Sequence, residues 1–377
     1  MARRMSSMGK VPPFRPFFLL ASLDAIFGAG VWLPVALDLS PTAGPFAGAW
    51  HRNALLFGTI PAILAGFLLT ALPRWTRRPA VSPVTLRLLA ALWLTGRAAS
   101  LLSIPAGLAV SAAFVLSITV IAAGSVIAAR DRRNFKIALL LLCFCGSAAL
   151  TARTLQADFA LRMAIASIIG LIAIIGGRVI PALTESFAQS IGRRFAVRRS
   201  VRLERAAGIT ATCALAAWAV APQSRVTGLA CVAAACAHTM RLAQWHGWRA
   251  RLPGSIIALH MGYCWTVIGF VLLAFHAFAP ESVGRAAGIH AWTIGAVGTM
   301  GLAIMASMIR KHSRRPFSGS MPATAAFISI TLSCLSRLLA ETFVADIELW
   351  TTLSAALWIL SFSLFLAAFG RYLLLRP

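Results

Sequence analysis

The chain is poor in acidic residues, has no cysteine pair placed for a bridge, and lacks any polar stretch long enough to form a soluble domain. Ten Asp and Glu face 35 Lys and Arg in 377 residues, and the bases are nearly all Arg. With 59% hydrophobic residues and a mean hydropathy of +0.82, the composition excludes a water-soluble globular domain. All seven cysteines (Cys143, Cys145, Cys213, Cys231, Cys236, Cys264, Cys334) fall inside apolar runs. Cys143 and Cys145 would point about 200° apart on a helix. Disulfides and a thiolate zinc site are therefore not expected, and these residues read as small buried side chains.

What is present is apolar sequence in long runs. Twelve segments are apolar enough to cross a bilayer as helices, roughly 17–39, 50–72, 84–102, 105–129, 137–154, 161–183, 206–221, 226–243, 254–279, 285–309, 322–341 and 345–370. The fold class expected is an all-α polytopic membrane protein, one integral domain over 1–377, with short connections except near 184–205. The N-terminal "MARRMSSMGKVPPFRPFFLL" has the basic start of a signal peptide, but its apolar run is too long for one and reads as an uncleaved first helix.

The charge of +25 does not point to nucleic acid, because its distribution has a different cause. Taking the connections alternately, 27 Lys and Arg lie on one side, including Arg74, Arg77, Arg78, Arg130, Arg132, Arg133, Arg193, Arg194, Arg310 and Lys311. The opposite side holds only Arg153, Arg162, Arg225 and Arg285. This is the positive-inside pattern and places both termini in the cytoplasm. The run Gly192 to Arg205, "GRRFAVRRSVRLER", reads as a solvated cytoplasmic anchor.

Polar groups inside these runs fall in two layers. Near the outer surface are His51, Arg52, Arg97, His276, His290, Arg337 and Glu341; nearer the inside are Asp24, Arg178, His238 and His260, with His246 and His312 in basic loops. Charged and ionisable residues at such depths face the bundle interior, a cavity or a cofactor. His51 and His290 each lie within a turn of the outer end of their helices, so their depths agree within roughly 5 Å. Two imidazoles at one depth on two helices suit the axial positions of a tetrapyrrole, with Arg52, Arg97 and Arg337 placed to pair with its carboxylates. The plainer reading is a His bonded to a carbonyl and Arg337 paired with Glu341. The inner His238, His260 and His312 are candidates for a second metal site. Arg178, in "GGRVIP", is either an anion or proton site or a structural anchor, with Gly176 and Gly177 allowing close contact or a local break and Pro181 ending regular bonding soon after. Two segments, His51 to Pro79 and His290 to Pro316, share an order: His, then Gly-Thr, an apolar span, and Arg-Arg-Pro.

Ten segments in order resemble the NnrS family of haem- and copper-containing membrane proteins. They are "FRPFFLLASL" at Phe14, "WHRNALLFG" at Trp50, "AGFLLTALPRWTRRP" at Ala65, "LWLTGRAA" at Leu92, "RRNF" at Arg132, "GGRVIPALT" at Gly176, "HTMRLAQWHGWR" at His238, "LHMGYCW" at Leu259, "IHAWTIGAVGTMGLAIM" at Ile289 and "KHSRRPF" at Lys311. The resemblance implies a bacterial inner-membrane protein with a b-type haem and possibly copper, acting in the response to nitric oxide and nitrosative stress. Its expected partners are nitric oxide or another small gas or anion, lipid, and an electron donor or acceptor. His51, Arg97, Arg178, His238, His260, His290 and His312 fall on the family's motif positions. The family pattern after Trp-His continues with a second His and an acidic residue; here those places are Asn53 and Ala54, which removes a donor from any copper site.

The expected bundle also resembles haem-copper oxidase catalytic subunits, with a His from the second and from the tenth helix. No His-His pair lies in the seventh helix and no His-Pro-Glu in the sixth, so no oxidase-type copper site is recognisable. The competing class is a twelve-helix secondary transporter for a small anion, bound by Arg97, Arg178 or Arg337. Against it, the last six helices do not repeat the first six.

Overall fold

A computed structural model describes residues 11–36, 44–154, 158–193, 199–247, 252–317, 320–342 and 346–374. The N-terminal Arg3, Arg4 and Lys10, together with Arg194, Arg198, Arg249, Arg251 and Arg376, lie outside the described residues. Among the described residues there is no strand, and the helices form twelve rods. We number them α1 (Phe14–Ala36), α2 (Gly44–Ala54, Leu55–Thr59 and Ile60–Thr76 in one run), α3 (Pro83–Leu102), α4 (Ile104–Ala128), α5 (Phe135–Thr154) and α6 (Asp158–Ser190). The second half comprises α7 (Val201–Val220), α8 (Arg225–Gln244), α9 (Gly254–Phe278), α10 (Arg285–His290, Ala291–Gly298 and Thr299–His312), α11 (Met321–Thr342) and α12 (Ile347–Leu374).

Eleven of these rods are long and apolar enough to cross a membrane. The exception is α7, whose first turns carry Arg202, Glu204 and Arg205 and so lower its hydropathy. Helices suit lipid because they satisfy every backbone donor and acceptor internally. Large apolar side chains such as Leu88, Leu102, Ile127, Val220 and Val226 point outward, the surface a bilayer covers. Ser82, Ser103, Ser200 and Ser224 cap α3, α4, α7 and α8 by accepting from the N–H three residues on.

Several rods run past their apolar segments: α2 reaches Thr76, α6 reaches Ser190, and α7 begins at Val201. Hydropathy marks what lipid accepts, whereas the hydrogen-bond ladder continues wherever packing supports it. For the same reason Pro181 does not end α6, which runs nine residues beyond it, and Gly176 and Gly177 make close contacts without a break. The enclosed centre is formed by α2, α6, α9 and α10. An apolar cleft of about 60 Å³ lies between α2, α6 and α10, lined by Ile60, Leu64, Ile168, Ile172, Val297 and Met300 among others.

Candidate functional site

The two rods that carry His51 and His290 are also the two that depart from α geometry. Four residues beyond His51 and directly after His290 the helix widens into a π segment, Leu55–Thr59 in α2 and Ala291–Gly298 in α10. Such segments are rare and concentrate at functional sites. Here their glycines meet bulky neighbours. A Cβ on Gly58 would lie 2.7 Å from both Arg97 Nη1 and Asp24 Oδ2, and one on Gly295 would lie 2.6 Å from the Trp265 ring. The Trp93 indole donates to the Gly58 carbonyl at 2.9 Å, and the Trp292 indole donates to the Thr266 carbonyl of α9 at 3.0 Å.

Hydrogen bonds fix the tautomers of the two imidazoles. His51 Nδ1 faces the Gly28 carbonyl at 3.3 Å, and a carbonyl can only accept, so Nδ1 carries the proton and Nε2 the lone pair. The ring stacks on Trp32 at 5.0 Å. His290 Nε2 accepts from Arg337 Nε at 3.3 Å, which again leaves Nε2 as the basic nitrogen. His290 Nδ1 faces Glu341 at 3.6 Å, beyond hydrogen-bonding length. Arg337 also meets Glu341 at 3.4 Å and donates to Thr351 Oγ1 at 3.2 Å. Both rings are half-buried and have Nε2 as the basic nitrogen, the donor atom a metal takes when Nδ1–H is held by the protein, as the Gly28 carbonyl holds it in His51.

Of the three arginines expected beside this pair, only Arg337 touches it. Arg52 is exposed. Arg97 belongs to a different cluster: its Nη2 donates to Ser111 at 3.1 Å, its Nη1 has no partner, and its guanidinium lies against Gly58 with the Asp24 carboxylate. Asp24, buried, accepts from Thr59 Oγ1 at 2.7 Å. The sequence placed Asp24 and Arg97 in opposite layers. They meet at mid-depth because α1 begins at Phe14, which puts Asp24 roughly 15 Å along its rod, and because Arg97 is long enough to reach inward.

The inner histidines have separate partners. His238, fully buried, places Nε2 3.2 Å from the Ala207 carbonyl and Nδ1 2.6 Å from the Tyr263 hydroxyl, so neither ring nitrogen is open to a metal. His260 meets Thr184 Oγ1 at 3.1 Å, and His312 lies between Arg74 Nη2 at 3.1 Å and the Met308 carbonyl at 2.9 Å. The expected gathering of His238, His260 and His312 is not formed. Among the described residues no three His, Cys, Asp or Glu side chains come together as a metal-binding set. Arg178 donates to Asn134 Oδ1 at 2.6 Å and to the Arg133 carbonyl at 2.9 Å, and so ties α6 to the loop before α5.

Sequence reading missed the centre of the basic half, Arg241. This buried guanidinium donates through Nε to Glu204 at 2.8 Å, through Nη1 to the Ala173 carbonyl at 2.7 Å and the Tyr263 hydroxyl at 2.8 Å, and through Nη2 to Glu204 again. Gly177 leaves the space it fills. Two signals were available. Glu204 is the lone acid in the basic run, and His238 and Arg241 stand three residues apart on one helix face.

The family model described as NnrS protein matches residues 12–377, nearly the whole chain. No curated protein matches it.

Proposed function

The chain belongs to the NnrS family, and from that membership we propose that it is a haem protein of the bacterial inner membrane acting in the response to nitric oxide. The observation that supports the haem reading is the pair of imidazoles His51 and His290, each with Nε2 as its basic nitrogen, on the two rods that carry π segments. A haem bound there would supply gas binding or one-electron transfer at its iron.

The chain's own residues suit that role in specific ways. The Gly28 carbonyl and the Trp32 face hold the His51 ring in one orientation. Arg337 now occupies His290 Nε2, so ligation there requires the guanidinium to move aside. Glu341 and Thr351 keep it nearby, where it can pair with a carboxylate edge. An apolar cleft lined by Ile60, Val297 and Met300 among others lies beside the π segments.

A reduced-minus-oxidised optical spectrum of the purified protein, with iron counted and nitric oxide then added, tests the reading. Sharp α and Soret bands with about one iron per chain are expected, and a shift with nitric oxide favours gas binding over electron transfer. His51→Ala and His290→Ala should each lower haem retention, while His276→Ala, whose Nδ1 lies 2.9 Å from the Val283 carbonyl, should not. Full haem occupancy in the double variant would sink the ligand assignment. A protein that stays colourless after haem reconstitution would favour the second reading, an anion transporter, for which the buried, unpartnered Nη1 of half-buried Arg97 is the supporting observation.

A further inference from the structure

Tyr372 stands where three stretches of chain meet at the basic ends of α1, α10 and α12, and these stretches bring cations without acids. No Asp or Glu occurs before Asp24, between Glu281 and Glu341, or after Glu348. Arg15 of α1, buried, donates through Nε to the Tyr372 carbonyl at 2.8 Å. Arg371 donates to the Tyr372 hydroxyl, and its guanidinium carbon lies 4.7 Å from the ring centre. Arg315, from the loop after α10, places its guanidinium carbon over the same ring at 4.8 Å. Arg315 and Arg371 are exposed, and neither has an ion-pair partner among the described residues.

The end of α10 fixes the position of Arg315. Arg314 takes a left-handed conformation, φ 51°, and the Arg315 N–H turns back to the Arg310 carbonyl at 3.1 Å, closing the helix in a Schellman motif. Arg310 Nη1 then donates to the Arg315 carbonyl at 3.2 Å, and its guanidinium packs on Phe317 at 3.5 Å. Arg371 is fixed by α12. It stands about five helical turns after Leu353 and shares an outward stripe with Leu353, Leu360, Ala367 and Leu374, all exposed. Leu360 lies roughly 16 Å along the rod from Arg371, about the depth of one leaflet.

We propose that this corner binds one anionic phospholipid from the leaflet on the basic side. Arg315 and Arg371 donate to the free oxygens of its phosphodiester beside the Tyr372 ring, and an acyl chain runs along the outward stripe of α12. Planar guanidinium forks suit a phosphate, and basic pockets between helices at the membrane surface are where lipid headgroups bind. Two like charges held at one ring repel, and an anion between them relieves that repulsion. A headgroup with a cation of its own would set a further positive charge beside three arginines, so the site selects lipids of net negative charge. It shares no residue with the His51 and His290 pocket, and it does not rest on the haem reading.

Full-length protein in neutral detergent is titrated with phosphatidylglycerol, or with phosphatidylcholine of the same acyl chains, and bound lipid is counted by native mass spectrometry. A single tight phosphatidylglycerol adduct is expected. Its affinity should fall about thirtyfold in an Arg315→Ala, Arg371→Ala variant, the usual effect of removing two bases beside an anionic headgroup. It should hold in an Arg87→Ala, Arg132→Ala control, which removes two exposed arginines elsewhere on the basic side. Thermal melts check that both variants fold, and Arg371→Gln alone replaces the first if it does not. An equal loss in the control would mean diffuse attraction by the whole basic face and overturns the site. Equal binding of phosphatidylcholine overturns the headgroup selection. Inorganic phosphate that binds at these arginines where phosphatidylglycerol does not would assign them to a free anion and overturns the lipid.

Discussion

The two halves of this bundle handle buried polarity in opposite ways. In the basic half, Arg241, Glu204, Tyr263 and His238 form a closed network in which each buried donor has an acceptor, and the rods that carry them are regular α-helices. In the other half, Trp50 Nε1, Asn53 Oδ1, Arg97 Nη1, Trp265 Nε1 and Thr299 Oγ1 are buried without hydrogen-bond partners, against Arg310 Nε in the basic half, and two central rods each carry a π segment. Buried unpaired polar atoms are costly and rare in a finished fold. Their concentration beside two π segments marks the half that gives up stability for a site. The closed network marks the half that holds the helices in place.

The contrast can be broken from either end. The largest effect is expected for Arg241→Ala, which strips the partner from Glu204, Tyr263 and the Ala173 carbonyl. Breaking a buried ion pair costs about 3–5 kcal/mol, and the lower figure applies because the Glu204 side chain is 34% exposed. A thermal melt in detergent that barely moves would remove the structural role assigned to this network. Gly58→Ala comes next. Its methyl would press on Arg97 and Asp24 at 2.7 Å, an overpacking cost of about 1–3 kcal/mol that the same melt reads. An unshifted or raised melting temperature would show that the π segment has room to relax.

Smaller effects should come from the open half. His290→Leu in haem-free protein leaves Arg337 its contacts with Glu341 and Thr351, so stability should change by less than about 1 kcal/mol. A collapse of the fold would mean that His290 is structural and that the two halves do not differ as described. Least of all, exposed Arg52→Ala should alter the melt by under about 0.5 kcal/mol and leave haem content unchanged. Loss of haem in that variant would bring Arg52 back into the site.

Much of this was legible in the linear chain, for identifiable reasons. A bilayer demands apolar runs of fixed length and sorts arginines by side, so the number of rods and the placement of His51 and His290 near matching ends could be read directly. The departures involve reach and closure. Arg97 was assigned by the position of its Cα, but its side chain extends to Gly58 and Asp24. Arg241 was not singled out in the sequence, yet it is buried because Glu204, 37 positions away, arrives opposite it on α7. His238, His260 and His312 looked equivalent as ligands until each acquired its own partner.

The sequence by itself determined a membrane-spanning helical protein, its family, and the pair of histidines on its second and tenth rods, because hydrophobic length, charge asymmetry and motif order are properties of the chain alone. Only the tertiary structure decided which polar groups meet, where α2 and α10 widen, and which imidazole nitrogens remain open. Those outcomes depend on side chains from rods far apart in sequence competing for the same few ångströms of buried space.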